Sequence, residues 1–381
     1  MNTKKSQSLD FKDKIFFYCY PQGPPQKAAY QHSIISIAEG LKELGIIFVA
    51  DRNYWKLSPT KEIYLFRYNS NIKPNDCDVV VLNDVWFSYG LGMPKDLFAP
   101  KRKYITVYVD SADSLYTQSL RNDFRKFDII LRTHMNKKLK YPSNFKPWAF
   151  GLTKRIIEYT KDNLIYEKRD KRILNNFRVP HQVREIANKS FFPRISDLFT
   201  LDSTSDGFYN KHKNPYENML WEQTGRRHYS TYYQKLTKTA FCSCFGGMFV
   251  VPFPKDISNN FSKIANFWNQ RTVKYGMKTN VITQYDSWRF WEALASGCIA
   301  IHVDLKKYGA FLPIMPENFR HYIGVDFDDI DKTRNKIENN ISLLPLVSDK
   351  GRKWALEEYS PKAVAQRFLQ YIIDFKIQKE S

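Results

Sequence analysis

The chain has 381 residues, a length that suits two domains of roughly 150–190 residues better than a single α/β layer. With 43% hydrophobic and 16% aromatic residues it can bury large cores, which excludes disorder over most of its length. Lys and Arg number 59 against 39 Asp and Glu, and the resulting charge of +20 points to polyanions, anionic membrane surfaces or phosphorylated ligands.

Met1–Asp13 is polar and lacks the apolar core of a secretory signal. No apolar run approaches the ~18–20 residues of a membrane span, Leu294–Val303 included. A cytoplasmic location is expected, with peripheral contact at a membrane left open. The five cysteines (Cys19, Cys77, Cys242, Cys244, Cys298) lie in or beside strand-like runs and read as reduced core residues. Cys242 and Cys244 lack a second Cys or His pair at zinc spacing.

The first half alternates strand and helix signals. Lys14–Pro21 is an apolar, β-forming run, followed by a turn at Gln22–Pro25. From Gln26 to Leu44 apolar residues recur at Tyr30, Ile34, Ile37, Ala38 and Leu41, a helical period closed by Gly45. Strands are expected at Ile46–Ala50, Asp78–Leu82, Tyr104–Val109 and Asp128–Leu131. Continuous apolar runs between helices indicate a buried, mostly parallel sheet.

The charged stretch Tyr159–Arg172 reads as a linker or surface helix, after which the pattern restarts. Strands are expected at Ile173–Phe177, Ala240–Cys244, near Val281 and at Cys298–Val303. Helices are expected near Val183–Ala187, at Tyr229–Thr237, from about Ser287 and at Ile330–Leu344, with an aromatic insert at Phe249–Lys278. The last helix, Ser360–Phe375, opens on a Ser cap and Pro361 and carries one apolar stripe. It either covers the second domain or crosses back to the first. The expected architecture is α/β, with two Rossmann-like domains facing a central cleft. Residues 1–13 form a polar tail, 14–158 the first domain, 159–172 the linker, 173–359 the second domain and 360–381 the final helix.

Gln284–Asp304 is the most informative stretch. Asp286 or Ser287 can cap a helix that Gly297 ends, and a buried strand follows at once. Trp288, Trp291, Leu294 and Ala295 bury one side, while Arg289 and Glu292 share another. A helix N-terminus favours phosphate, Arg adds a charged fork, and a carboxylate one turn on can accept from both ribose hydroxyls. Together these would hold a nucleoside diphosphate. An ordinary surface pair between Arg289 and Glu292 is the simpler alternative.

The pattern D-S-x-R-F-x-E-A-L-A-x-G-C-I in this stretch resembles the donor-binding motif of exostosin-like glycosyltransferases, members of the GT-B class. Asn176-Phe177-Arg178, with Arg184 six residues on, is similar to the family's F-R-G…R segment. Tyr229–Cys244 resembles the segment preceding its donor site. Val179 stands where the family has Gly, and Ala300 where it commonly has Pro. The resemblance implies a nucleotide-diphosphate sugar as donor, with Glu292 on the ribose and Ser287 at the phosphates. Arg178, Arg184 and Arg289 complete the implied donor set. It also implies transfer to a glycan, lipid-linked or glycoprotein-glycan acceptor, with no obligatory cofactor or metal.

Asp326-Phe327-Asp328 invites a metal reading, but it also leads into the helix at Ile330 and suits that helix's N-terminus. In the first domain a catalytic base would come from strand C-terminal ends facing the cleft. Asp110 and Asp113, after the run YITVYV, and His32, early in its helix, are the main candidates, with Asp84 and His134 behind them. Helix capping by the aspartates and a polar-face role for His32 stand as alternatives, and a retaining reaction would need no base. Basic stretches at Lys101–Lys103, Arg121–Lys126, Lys137–Lys140 and Lys168–Arg172 read as solvated faces or as docking to anionic membrane or lipid-linked acceptor. Nucleic acid is not the expected partner. The rival to an enzyme is a non-catalytic polyanion-binding protein, for nucleic acid or anionic membrane, on a glycosyltransferase-like scaffold.

Overall fold

The computed structural model describes residues 13–25, 27–28, 30–87, 90–113, 118–177, 181–203, 211–250 and 281–380. The chain opens with β1 (Ile15–Phe17), α1 (His32–Glu43) and β2 (Phe48–Ala50). A hairpin of β3 (Tyr54–Lys56) and β4 (Tyr64–Phe66) follows. Then come β5 (Val79–Asn83), β6 (Ile105–Asp110), β7 (Ile129–Arg132) and β8 (Phe145–Pro147). The first sheet has the order β2-β1-β5-β6-β7-β8, with every pairing parallel. Its central strands are buried on both faces, so Val79 and Val81 enter one core while Val80 and Leu82 enter the other. That two-sided burial is why the sequence runs apolar rather than alternating.

Helix α1 begins at His32, six residues later than the periodicity places it. Gln31, just before it, is spent on anchoring: it accepts from Tyr20 N at 2.9 Å and from Asn83 Nδ2 at 2.8 Å. Its own amide donates to Tyr20 O at 3.2 Å. Gly45 takes φ +73° after the helix, the left-handed turn expected of a C-terminal stop.

The second half begins with α2 (Lys154–Thr160), β9 (Asp170–Leu174), α3 (Gln182–Ile186) and β10 (Thr200–Asp202). It continues with α4 (Pro215–Gln223), α5 (Ser230–Lys238), β11 (Thr239–Ser243) and an antiparallel pair, β12 (Met248–Phe249) with β13 (Ile282–Thr283). The chain then forms α6 (Trp288–Ala295), β14 (Ile299–Val303), β15 (Ile323–Val325) and α7 (Ile330–Asn339). It closes with α8 (Leu344–Tyr359) and α9 (Pro361–Glu380). The second sheet is again parallel, in the order β10-β9-β11-β14-β15.

The stretch read as a linker is built into the fold at both ends. Thr160 closes α2, and Asp170 already pairs in β9. Between them Arg169 is buried and donates to the carbonyls of Leu164, Leu236 and Thr239 at 2.8, 3.0 and 3.0 Å. The last helix crosses back. Val364, Ala365, Phe368 and Leu369 of α9 share a core with Ile34, Ile37 and Leu41 of α1. Helix α4 sends Met219 and Leu220 into the same core.

The two halves are stitched through residues 134–138. Asn136 Nδ2 donates to Ile282 O at 3.0 Å and Tyr308 O at 2.8 Å, while the Tyr285 hydroxyl donates to Met135 O at 2.6 Å. All five cysteines are free and buried. Among the described residues no helix is long and apolar enough to cross a membrane.

Candidate active site

A cleft of about 320 Å³ opens at the strand C-terminal ends. It is lined by Asp113 after β6, Asn176 and Phe177 after β9, Gly246 after β11, and the first turns of α6. This is where parallel sheets generally place ligands, because loops and helix N-termini converge there.

Glu292 is 8% exposed and projects from α6 into the cleft. It does not take Arg289 as an ordinary surface partner. Its Oε1 accepts from the Tyr233 hydroxyl at 2.7 Å, and that hydroxyl accepts from Arg155 Nη1 at 2.6 Å. A relay from α2 through α5 thus fixes a carboxylate on α6. Burial opposes the Arg155 charge, but the Tyr233 and Tyr30 hydroxyls and Glu292 hold it firmly protonated.

Arg289 instead lies over Phe177 at 4.6 Å and Tyr232 at 5.6 Å, and donates to Asn176 O. Arg184 lies over the same Phe177 ring at 4.0 Å and donates to Phe245 O at 2.8 Å. Burial, then the neighbouring Arg289 charge, push Arg184 down to about 10. Two guanidinium groups are therefore gathered on one ring at an electrostatic cost that a bound anion relieves.

Ser287 is the N-cap residue of α6, at φ −151° and ψ 150°; its side chain makes no capping bond and lines the cleft. Asp286 does not cap either. Its carboxylate accepts from Phe150 N and Trp291 Nε1, both at 2.7 Å, tying the loop before α6 to the first domain. Trp291 is core, stacked on Trp354 at 5.8 Å. Trp288 departs from that side. It stacks on His32 at 5.5 Å, meets Tyr30 edge-on at 4.9 Å and lines the cleft.

The first-domain candidates separate clearly. Asp113 lines the cleft with a side chain 66% exposed. Partial desolvation at the cleft wall works to raise its carboxyl, but contacts with His134 and Gln284 hold it below the usual range. Asp110 is buried beneath, paired with Arg132 at 2.9 Å and bonded to Ser119, and is not among the cleft-lining residues. His32 is 2% exposed, accepts from the Tyr30 hydroxyl at 2.9 Å through Nδ1 and donates to Gly151 O at 3.1 Å through Nε2. Burial, helped by the Arg155 charge, pushes it down to about 3, the condition of a neutral packing residue. Asp84 is pushed up to about 7 by burial and by Asp110, and accepts from Ser111 Oγ at 2.8 Å.

Lys307 bridges Asp326 and Asp328, the latter at 2.7 Å, and Asp329 caps α7 by accepting from Lys332 N at 3.0 Å. Among the described residues no cluster of His, Cys, Asp or Glu is arranged to hold a metal. Arg178 and most of the insert at Phe249–Lys278 fall outside the described residues. Arg155, Tyr233 and His181 were not picked out from sequence. Tyr233 sits in the segment that resembles the family, whereas Arg155 carries no local signal, because its role depends on a helix 78 residues away.

Two parallel α/β sheets facing a cleft, with the last helix returning to the first domain, define the GT-B glycosyltransferase fold. An α-glucosyltransferase solved in complex with UDP and a 13-mer DNA containing a central A:G mismatch is similar in structure. The TM-score is 0.54 at 10% identity, over 95% of this chain and 100% of that one. An α-glucosyltransferase in complex with UDP-glucose and DNA containing an abasic site gives 0.53 at 10% identity over the same shares. No family model matches the sequence, and no curated protein matches it.

Proposed function

We propose that the chain is an exostosin-like glycosyltransferase that moves a sugar from a nucleoside-diphosphate donor to an acceptor hydroxyl in this cleft. The observation that carries the reading is the convergence of Arg184 and Arg289 on Phe177, beside the fixed carboxylate of Glu292. Glu292 takes the ribose hydroxyls. The two guanidinium groups and the Ser287 end of α6 take the diphosphate. In the reaction the bond from the anomeric carbon to the phosphate oxygen breaks, and the acceptor oxygen bonds to that carbon. Negative charge builds on the departing diphosphate, where preorganised cations act most strongly. No obligatory metal enters this account, because the arginines supply that charge. On an inverting route Asp113 receives the acceptor proton; on a retaining route the departing phosphate takes it. The acceptor class is a glycan, free, lipid-linked or on a glycoprotein.

A nucleic-acid acceptor is a second reading, favoured by the net charge of +20. The two similar structures contain DNA. Incubation with UDP-, GDP- and CMP-linked sugars, read as release of free nucleotide, tests the enzyme reading. Release of UDP or of GDP supports it, and release of CMP alone or of no nucleotide contradicts it. Affinity for duplex DNA that falls steeply with salt separates the second reading from the first.

A further inference from the structure

We propose that His134 is a positioning residue that fixes the orientation and charge of the Asp113 carboxylate, the acceptor-side group of the reaction proposed above. The inference rests on that reading for its functional meaning and on the geometry for its substance. His134 Nδ1 accepts from the backbone N–H of Asp286 at 3.2 Å. A ring nitrogen that accepts carries no hydrogen, so the neutral ring holds its hydrogen on Nε2. Nε2 is buried without a hydrogen-bond partner at normal distance, and Asp113 Oδ1 lies 3.5 Å from it, within ion-pair range. The ring is wedged edge-on between Phe150 at 5.9 Å and Tyr285 at 5.7 Å, which leaves it little freedom to turn.

The backbone supports the same conclusion. His134 sits at φ +58°, a conformation that costs a non-glycine residue roughly 1–2 kcal/mol. Histidine is among the non-glycine residues that tolerate this conformation, and the turn holds its ring in the position described. Asp286 leads into α6, and therefore one ring touches both the donor-side loop and the carboxylate across the cleft. The groups facing Asp113 are His134, His181, Arg184 and the neutral Gln284; those facing His134 are Asp113 and Asp286.

Two spectroscopic measurements on the full chain test the assignment. Nitrogen-15 shifts of the histidine rings at pH 8 are expected to show His134 with its hydrogen on Nε2, and hydrogen on Nδ1 would overturn the proposal. Carbon-13 titration of the aspartate carboxyls, with Asp113 identified by Asp113→Asn, reads its charge directly. In His134→Gly, which relieves the left-handed backbone, the Asp113 midpoint is expected to rise by about one pH unit. His134→Gln, which keeps a donor, is expected to restore it. His134→Asn, also tolerant of this backbone, substitutes if the glycine variant fails to fold. An unchanged midpoint in a folded His134→Gly or His134→Asn protein overturns the proposal. UDP titration of the same proteins keeps the two ideas apart. If UDP does not bind wild type while the midpoint still moves, the donor reading fails and the His134–Asp113 pairing stands.

Discussion

Tyr233 donates to Glu292 at 2.7 Å while accepting from Arg155 at 2.6 Å, so one hydroxyl holds the α6 carboxylate to a buried cation on α2. The arrangement presents the carboxyl group to the cleft with its geometry already set, as the proposed recognition of a ribose diol needs. Tyr233→Phe removes the hydroxyl and leaves Arg155 and Glu292 without their common partner. UDP affinity is expected to fall about tenfold, equivalent to about 1.4 kcal/mol, in a calorimetric titration.

The paired arginines make a different prediction. Arg184→Met keeps a long apolar stem over Phe177 and deletes the charge. Affinity for UDP is expected to fall more than tenfold, whereas affinity for uridine, which has no phosphate, should change less than about twofold. Equal losses for both ligands would place Arg184 away from the diphosphate.

The last helix depends on a glycine. A Cβ at Gly40 would lie 1.9 Å from Pro361 O and 2.6 Å from Ala365 Cβ, so α1 and α9 touch backbone to backbone there. Gly40→Ala is expected to destabilise the protein by about 1–3 kcal/mol through overpacking, despite the better helix propensity of Ala. Urea denaturation reads this as a lower midpoint.

How far the sequence carried depended on whether a signal was local. The stretch from Ser287 to Val303 was legible because a helical period, a stopping glycine and a buried strand follow one another, and the structure forms α6 and β14 there, although neither Ser287 nor Asp286 makes the expected capping bond. The β5, β6 and β7 runs were legible for the same reason. The early start expected for α1 failed because Gln31 uses its side chain to anchor the preceding loop. Trp288 and Trp291 look alike in the pattern, yet only tertiary contact decides that one meets His32 across the seam and the other enters the core. Asp110 and Asp113 were equally placed after β6. Only the distant Arg132 shows that the first is buried structure, while the second reaches the cleft.

Stability should respond to pH through Glu39, which is 5% exposed and accepts from Lys154 N at 2.7 Å. Burial pushes its carboxyl up from 4.5 to about 7. The native chain therefore binds more protons than the unfolded chain across that window, and this contribution to stability is lost as pH rises through it. Glu39→Gln is expected to gain on wild type between pH 4.5 and 7, by at most about 1.4 kcal/mol per pH unit, with a constant difference above that. Comparison with wild type cancels the similar rise at Asp84 and the opposite effect of buried His32. A flat difference across the window would contradict the assignment.

The cleft is expected to bind a nucleoside diphosphate through Glu292 and the arginine pair. Calorimetric titration of UDP, GDP and CMP into wild type and Glu292→Ala, without added metal, tests it most directly. Wild type is expected to bind one nucleoside diphosphate selectively in the micromolar range, with binding weakened by about 1–3 kcal/mol in the variant. Absence of nucleotide binding in wild type, or equal affinity in both proteins, would contradict it.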